Sequence, residues 1–115
     1  AYVLFTMMNV EYEYVYTNGE LDIDCITNKS RRKRVFSSDI RAIEVMAHAE
    51  DRDHQREFST VEKTLDCSSG QIKPNTYIAR VPYEGKMIKL IIEPNEEIQN
   101  YMLQVLTPRK FFIKK

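Results

Sequence analysis

From Tyr12 to Ile26 the chain alternates with a period of two on both sides of an Asn18-Gly19 pair. A period of two puts successive side chains on opposite faces of a strand. Asn-Gly suits a type I′ turn, which needs positive φ at both central residues, so the segment predicts a β-hairpin. With Asn18 and Gly19 as the turn, Thr17 faces Glu20, Tyr16 faces Leu21, Val15 faces Asp22, Tyr14 faces Ile23, Glu13 faces Asp24 and Tyr12 faces Cys25. One face carries Tyr12, Tyr14, Tyr16, Leu21, Ile23 and Cys25; the other carries Glu11, Glu13, Glu20, Asp22 and Asp24. A slip of one residue would drive the acids into the core, so the register is strongly specified. Glu13 opposite Asp24 is repulsive and calls for a basic neighbour.

The rest of the pattern predicts more strands and one helix. Ser38 or Asp39 can cap a short helical turn, after which Ile43, Val45 and Met46 favour a strand. His48 to Glu57 is the most polar run and reads as an exposed loop or one or two helical turns. Val61 to Cys67 reads as a strand ended by Ser68-Ser69-Gly70. Asn75 to Pro82 alternates, with Tyr77, Ala79 and Val81 on one side. Glu84-Gly85 is a second turn, and Lys86 to Glu93 returns from it. Pro94-Asn95-Glu96-Glu97 then supplies a cap and two acids that suit a helix N-terminus. Ile98, Tyr101, Met102, Val105 and Leu106 follow as one apolar stripe, and Pro108 ends the helix. Phe111-Phe112-Ile113 is either a last packing arm or an exposed hydrophobic patch, and packing is preferred because exposed apolar tails promote aggregation. About seven strands in hairpins followed by one helix make an α+β arrangement dominated by antiparallel pairing.

Between the hairpin and the Ser-Asp turn lie Lys29, Arg31, Arg32, Lys33 and Arg34, five cations in six residues. Such a run can be a nucleic-acid or anionic-lipid patch. It can also be a strand that turns at Thr27–Ser30 and neutralises Asp22 and Asp24. The second reading is favoured because the 115-residue chain balances 17 basic against 17 acidic residues. The same balance argues against bulk nucleic-acid binding, which needs a clearly basic domain. The length suits one domain with a modest core, and three glycines and four prolines argue against a linker-rich chain.

Ala1 to Val10 is largely apolar and carries no charge, so residues 1–9 form an apolar lead-in to a domain over 10–115. It is shorter than the about 20 residues a bilayer span needs. Three readings compete: the end of a transmembrane segment, the first strand of the sheet, or an arm that packs on a neighbouring copy. A signal peptide is disfavoured, because a basic start and a small-residue cleavage site are missing.

Candidate chemistry is sparse. His48 and His54, with Glu50, Asp51 and Asp53 between them, suggest a metal-dependent enzyme, but a spacing of six fits neither a helix face nor a strand face. A solvated charged loop is preferred. Ser37-Ser38-Asp39 sets hydroxyls beside a carboxylate without a histidine to activate them, which favours capping. Gly19, Gly70 and Gly85 each sit at a turn rather than in a phosphate loop. Cys25 and Cys67 lack the CxxC spacing of a zinc site; a disulfide between them is geometrically possible, but two buried thiols in a reducing compartment are preferred. No catalytic residue, metal or cofactor is assigned.

The hairpin Tyr14–Ile23, then Arg32-Lys33-Arg34-Val35-Phe36, then Ser38-Asp39-Ile40-Arg41-Ala42-Ile43-Glu44-Val45, and the helix after Ile91-Ile92-Glu93-Pro94 resemble a bacterial pleckstrin-homology-like (PH-like) domain over nearly all of residues 10–113. More narrowly, the chain is similar to a family of small membrane-anchored proteins of Gram-positive anaerobes. The resemblance implies two orthogonally packed sheets, a partly open barrel, capped by one C-terminal helix. It implies no enzyme activity, and a domain on the cytoplasmic side of a membrane tether. Relatives of the fold often bind phosphoinositides through cations in the first hairpin loop. Here that loop is Thr17-Asn18-Gly19-Glu20 with no cation, so the role does not carry over. The leading expectation is a non-enzymatic module for protein interaction or assembly, with self-association through the apolar start as one route. The alternatives are anionic-lipid binding through Lys29 and Arg31–Arg34, and an enzyme built on the His48–His54 loop.

Overall fold

A computed structural model of the protein describes residues 2–5, 10–52, 55–106 and 111–112. The first sheet is formed by β1 (Tyr2–Phe5), β2 (Val10–Thr17), β3 (Glu20–Thr27) and β4 (Arg31–Asp39), side by side in chain order and antiparallel. The β2–β3 pairs are those the alternation predicts, from Thr17 opposite Glu20 to Tyr12 opposite Cys25. Asn18 and Gly19 take φ of 50° and 86°, as their turn requires. The apolar start enters the sheet as β1, with Tyr2 opposite Tyr14 and Phe5 opposite Glu11. Ala1 and residues 6–9 lie outside the described residues.

One irregularity in β4 shapes everything that follows. Phe36 pairs with Ile23, but the next partner of Asp24 is Arg34, so Val35 is an extra residue in a β-bulge. Paired residues share a face. Arg34 and Arg32 therefore stand with Asp24 on the acidic face, while Lys33, opposite Cys25, stands on the core-facing side. With Val35 in the ladder, these assignments would be reversed.

The second sheet contains β5 (Val45–His48), β6 (Lys63–Asp66), β7 (Tyr77–Tyr83), β8 (Lys86–Ile92) and β9 (Phe111–Phe112), in the order β6-β8-β7-β5-β9. The described strands thus number nine rather than about seven, the extra ones being the short β1 and β9. Pairing is also less uniformly antiparallel than expected, because β6 runs parallel to β8 and β9 parallel to β5. The period of two reports which face a residue takes, not which strand it meets. The β7 hairpin partner already occupies one edge of β8, and β6 takes the other.

The main core joins both sheets through Tyr14, Leu21, Ile23 and Phe36 from one and Ala79, Val81, Ile88 and Leu90 from the other. Helix α2 (Glu96–Val105) covers it with Ile98, Met102 and Leu106, and Asn95 caps the helix by accepting the Ile98 N–H at 2.9 Å. Tyr101 departs from the predicted stripe: it is 41% exposed and stacks on Tyr16 at 5.2 Å. Helix α1 (Gln55–Ser59) covers the outer face of the second sheet, where Phe58 packs with Val45, Ala47 and Ile78. The predicted Ser-Asp turn is a 3₁₀ turn at Ile40–Ala42, capped by Asp39 through the Arg41 N–H at 2.8 Å. Ile40 in turn donates its N–H to the Gly19 carbonyl at 2.8 Å, which docks the first hairpin turn on this segment.

Candidate functional site

The structure divides the five-cation run in two. Arg32 donates to Glu13 and, at 3.0 Å, to Asp24. Arg34 donates to Asp24 and lies 3.5 Å from Asp22. These are the basic neighbours that the Glu13–Asp24 pair required. Asp24 is only 7% exposed, and the Arg34 hydrogen bond, helped by Arg32 and opposed by burial, holds its carboxyl below the usual range. The Glu13 carboxylate, then Asp24, drives the Arg32 guanidinium further toward its charged form. Ser37 completes this face by donating to Asp22 at 2.6 Å.

Lys29, Arg31 and Lys33 are placed elsewhere. Lys29 sits in the β3–β4 turn with φ of 63°, beside Asn28 at 53°. Arg31 opens β4 opposite Thr27. Lys33 reaches a cleft of about 280 Å³ that opens where the two sheets fail to meet. Among the described residues β4 pairs only with β3, and β6 only with β8, so each presents a free edge. The cleft lies between those edges. Its apolar lining is Val35 from β4, Leu65 from β6, Tyr83 from the end of β7 and Ile88 from β8. Tyr83 also packs on Phe36 at 4.8 Å between ring centres, which anchors the inner end of the cleft to the core.

Its polar lining is Lys33, Lys63, Lys86, Arg34 and Glu84. Lys63 pairs with Ile88, and Lys86 lies two residues before Ile88 on the same strand, so both stand on the core-facing side of their sheet. Lys33 stands on the core-facing side of the other sheet. Three exposed ammonium groups thus occupy the inner faces just beyond the apolar packing. Arg34 borders the cleft with its guanidinium held by Asp24 and Asp22. Sequence reasoning missed Lys63 and Lys86. The parity of Lys86 with Ile88, Leu90 and Ile92 was legible; the place of Lys63 depends on a pairing it does not encode.

The histidine loop takes a different form from that expected. His48 ends β5 and is 1% exposed. Its Nδ1 accepts the Glu50 N–H at 3.0 Å, so Nε2, 3.0 Å from the Lys73 carbonyl, carries the proton and donates. Both ring nitrogens are spent in holding a loop. His54 and Asp53 lie outside the described residues. Among the described residues no group of three or more His, Cys, Asp and Glu side chains is placed to hold a metal ion, and no helix is long and apolar enough to cross a membrane.

Cys25 and Cys67 are free thiols, the second fully buried. Burial, then the nearby Asp66, pushes the Cys67 thiol up to about 12. Burial and the two cysteines also push the Tyr12 phenol up to about 12. Beside them the Tyr14 hydroxyl donates to the Cys67 carbonyl and accepts the Glu93 N–H at 3.1 Å. The Glu93 carboxylate accepts from the N–H and hydroxyl of Ser69, each at 2.7 Å, and faces Lys73 Nζ at 3.5 Å. This network ties β2 to the ends of β6 and β8.

A family model described as "Bacterial PH-like domain (DUF6106)" matches residues 1–113. No curated protein and no solved structure matches the chain.

Proposed function

Since the chain belongs to the bacterial PH-like domain family, we propose that it is a non-catalytic module for protein interaction or assembly, working through the cleft between β4 and β6. The observation that carries this reading is the open corner itself. Among the described residues two strands leave their backbone edges free beside an apolar floor, and free edges are sites where other chains pair. A photoreactive side chain in place of Leu65 tests it. Irradiation in the bacterial host is expected to give a discrete protein adduct. Adducts to lipid alone, or none, would overturn the reading.

The anionic-lipid reading keeps Lys29, Arg31 and Lys33 as its cations, because Arg32 and Arg34 are committed to acids. The proposed membrane tether rests on the apolar start from Ala1 to Val10. Sequencing the full reading frame checks it: a hydrophobic span upstream supports the tether, and its lack removes the tether while leaving the interaction module intact.

A further inference from the structure

Two of the three lysines of the open corner, Lys33 and Lys63, stand on core-facing positions of edge strands, and Lys86 joins them from the neighbouring β8. Proteins use such inward charges to keep edges from pairing indiscriminately. Here Lys33, Lys63 and Lys86 converge on one cleft from both sheets, with Glu84 as the one acid among the described residues that line it. A neutral or apolar strand entering this gap would have to strip water from ammonium groups without compensation. A second copy of β4 would set its own Arg31–Arg34 run against them.

From this we infer that the corner receives an extended acidic segment of a partner protein, added as a strand along the free edge of β4 at Lys33. The inference rests on the interaction reading above and names the partner's chemistry. An added strand satisfies the backbone donors and acceptors of the free edge. Its alternate side chains point into the cleft, where carboxylates meet Lys33, Lys63 and Lys86. Val35, Leu65 and Ile88 floor a space with room for a few side chains rather than a large ligand. The lysines thus reject wrong strands and accept the right one. A lipid headgroup would use the charges but leave both strand edges and the apolar floor idle.

The test uses a capped peptide alternating Glu and Val over about eight residues, a usual strand length, with Ser-Val and Lys-Val peptides beside it. Fluorescence anisotropy is expected to show saturable binding of the Glu-Val peptide that weakens as salt rises. The Ser-Val peptide should bind at least about tenfold more weakly. Lys63→Glu and the milder Lys63→Gln should each lower affinity, the first by at least about tenfold, and Lys33→Glu likewise. Lys29→Glu, outside the cleft, should leave it unchanged. The N–H groups of a strand point alternately to its two edges, so methylating one alternate set of peptide nitrogens should abolish binding and methylating the other should leave it.

Equal binding of the acidic and neutral peptides, or binding indifferent to methylation of both alternate sets, would overturn the inference. So would binding to vesicles with anionic lipid that Lys63→Glu abolishes while the peptide fails to bind. If the peptide fails while the Leu65 crosslink still captures protein, the acidic strand falls and the interaction module stands. If both fail, both readings fall.

Discussion

Single residues in this protein do work out of proportion to their size where they lie between the two sheets. Tyr14 is the clearest case. Its ring is buried in the core, and its hydroxyl serves two backbone groups from different strands, the Cys67 carbonyl and the Glu93 N–H. Tyr14→Phe keeps the ring and leaves both partners without their hydroxyl. The expected loss is about 1–3 kcal/mol, read by chemical denaturation. A loss within experimental error would show that the two groups find other partners. Cys67 makes a second prediction. Its folded-state pKa is raised from 9.0 to about 12, so the native state favours the neutral thiol. That contribution is fully present below the ordinary thiol pKa and is lost as pH rises through about 12. At pH 8, iodoacetamide should label Cys67 only through unfolding, with Cys25, which is partly exposed, labelled first in mass spectra.

Among the elements, β4 shows how one extra residue redistributes chemistry. The bulge at Val35 sends Arg32 and Arg34 to the acids of β2 and β3 and sends Lys33 to the cleft. The acid-facing half carries a pH prediction. The folded-state pKa of Asp24 is depressed below its ordinary 3.8, chiefly by the Arg34 hydrogen bond. Its stabilising contribution is therefore present above the unfolded-state pKa and is lost as pH falls through the lower folded value. Denaturation midpoints should fall across that acidic window in the native protein and fall less in Asp24→Asn, which has no proton to take up there. An Asp24 carboxyl that titrates in NMR at or above its ordinary value would refute the assignment. Helix α2 adds a contrast: its buried stripe is narrower than its apolar sequence, because Tyr101 leaves the core to stack on Tyr16.

At the scale of the whole molecule, one core serves both sheets, and neither sheet is separately complete. Tyr14, Leu21, Ile23 and Phe36 have their packing partners across the gap in β7 and β8. Unfolding should accordingly be a single cooperative transition. Far-ultraviolet circular dichroism, reporting both sheets, and the NMR signals of Phe36 and Leu90, one from each, are expected to give coincident denaturation curves. Separated curves would mean that the sheets are independent units. The open corner lies at the margin of this core, where closing the barrel would require β4 and β6 to pair and Lys33 and Lys63 to lose water. On the proposed reading, the same charges select an acidic strand.

The first hairpin, its register, a capped turn starting at Ser38 or Asp39, a capped helix start within Pro94–Glu97, the Glu84-Gly85 turn and the closing helix were legible in the sequence, because each depends on residues close along the chain. Local alternation, turn residues and capping groups act within a few positions, and they point to one conformation. So did the neutralisation of Asp24, since the acids and the basic run are adjacent strands. Tertiary structure alone decided what depends on distant partners. It placed His48 inside, held by Lys73, where the polarity of its neighbours suggested a loop. It laid β6 parallel to β8. It brought Lys33, Lys63 and Lys86 to one cleft. The order of cations in β4 does not reveal which of them faces inward, because that turns on whether Val35 joins the ladder. Phe36 packing on Tyr83 and Arg34 meeting Asp24 fix the ladder on either side of Val35, and Tyr83 lies in the other sheet.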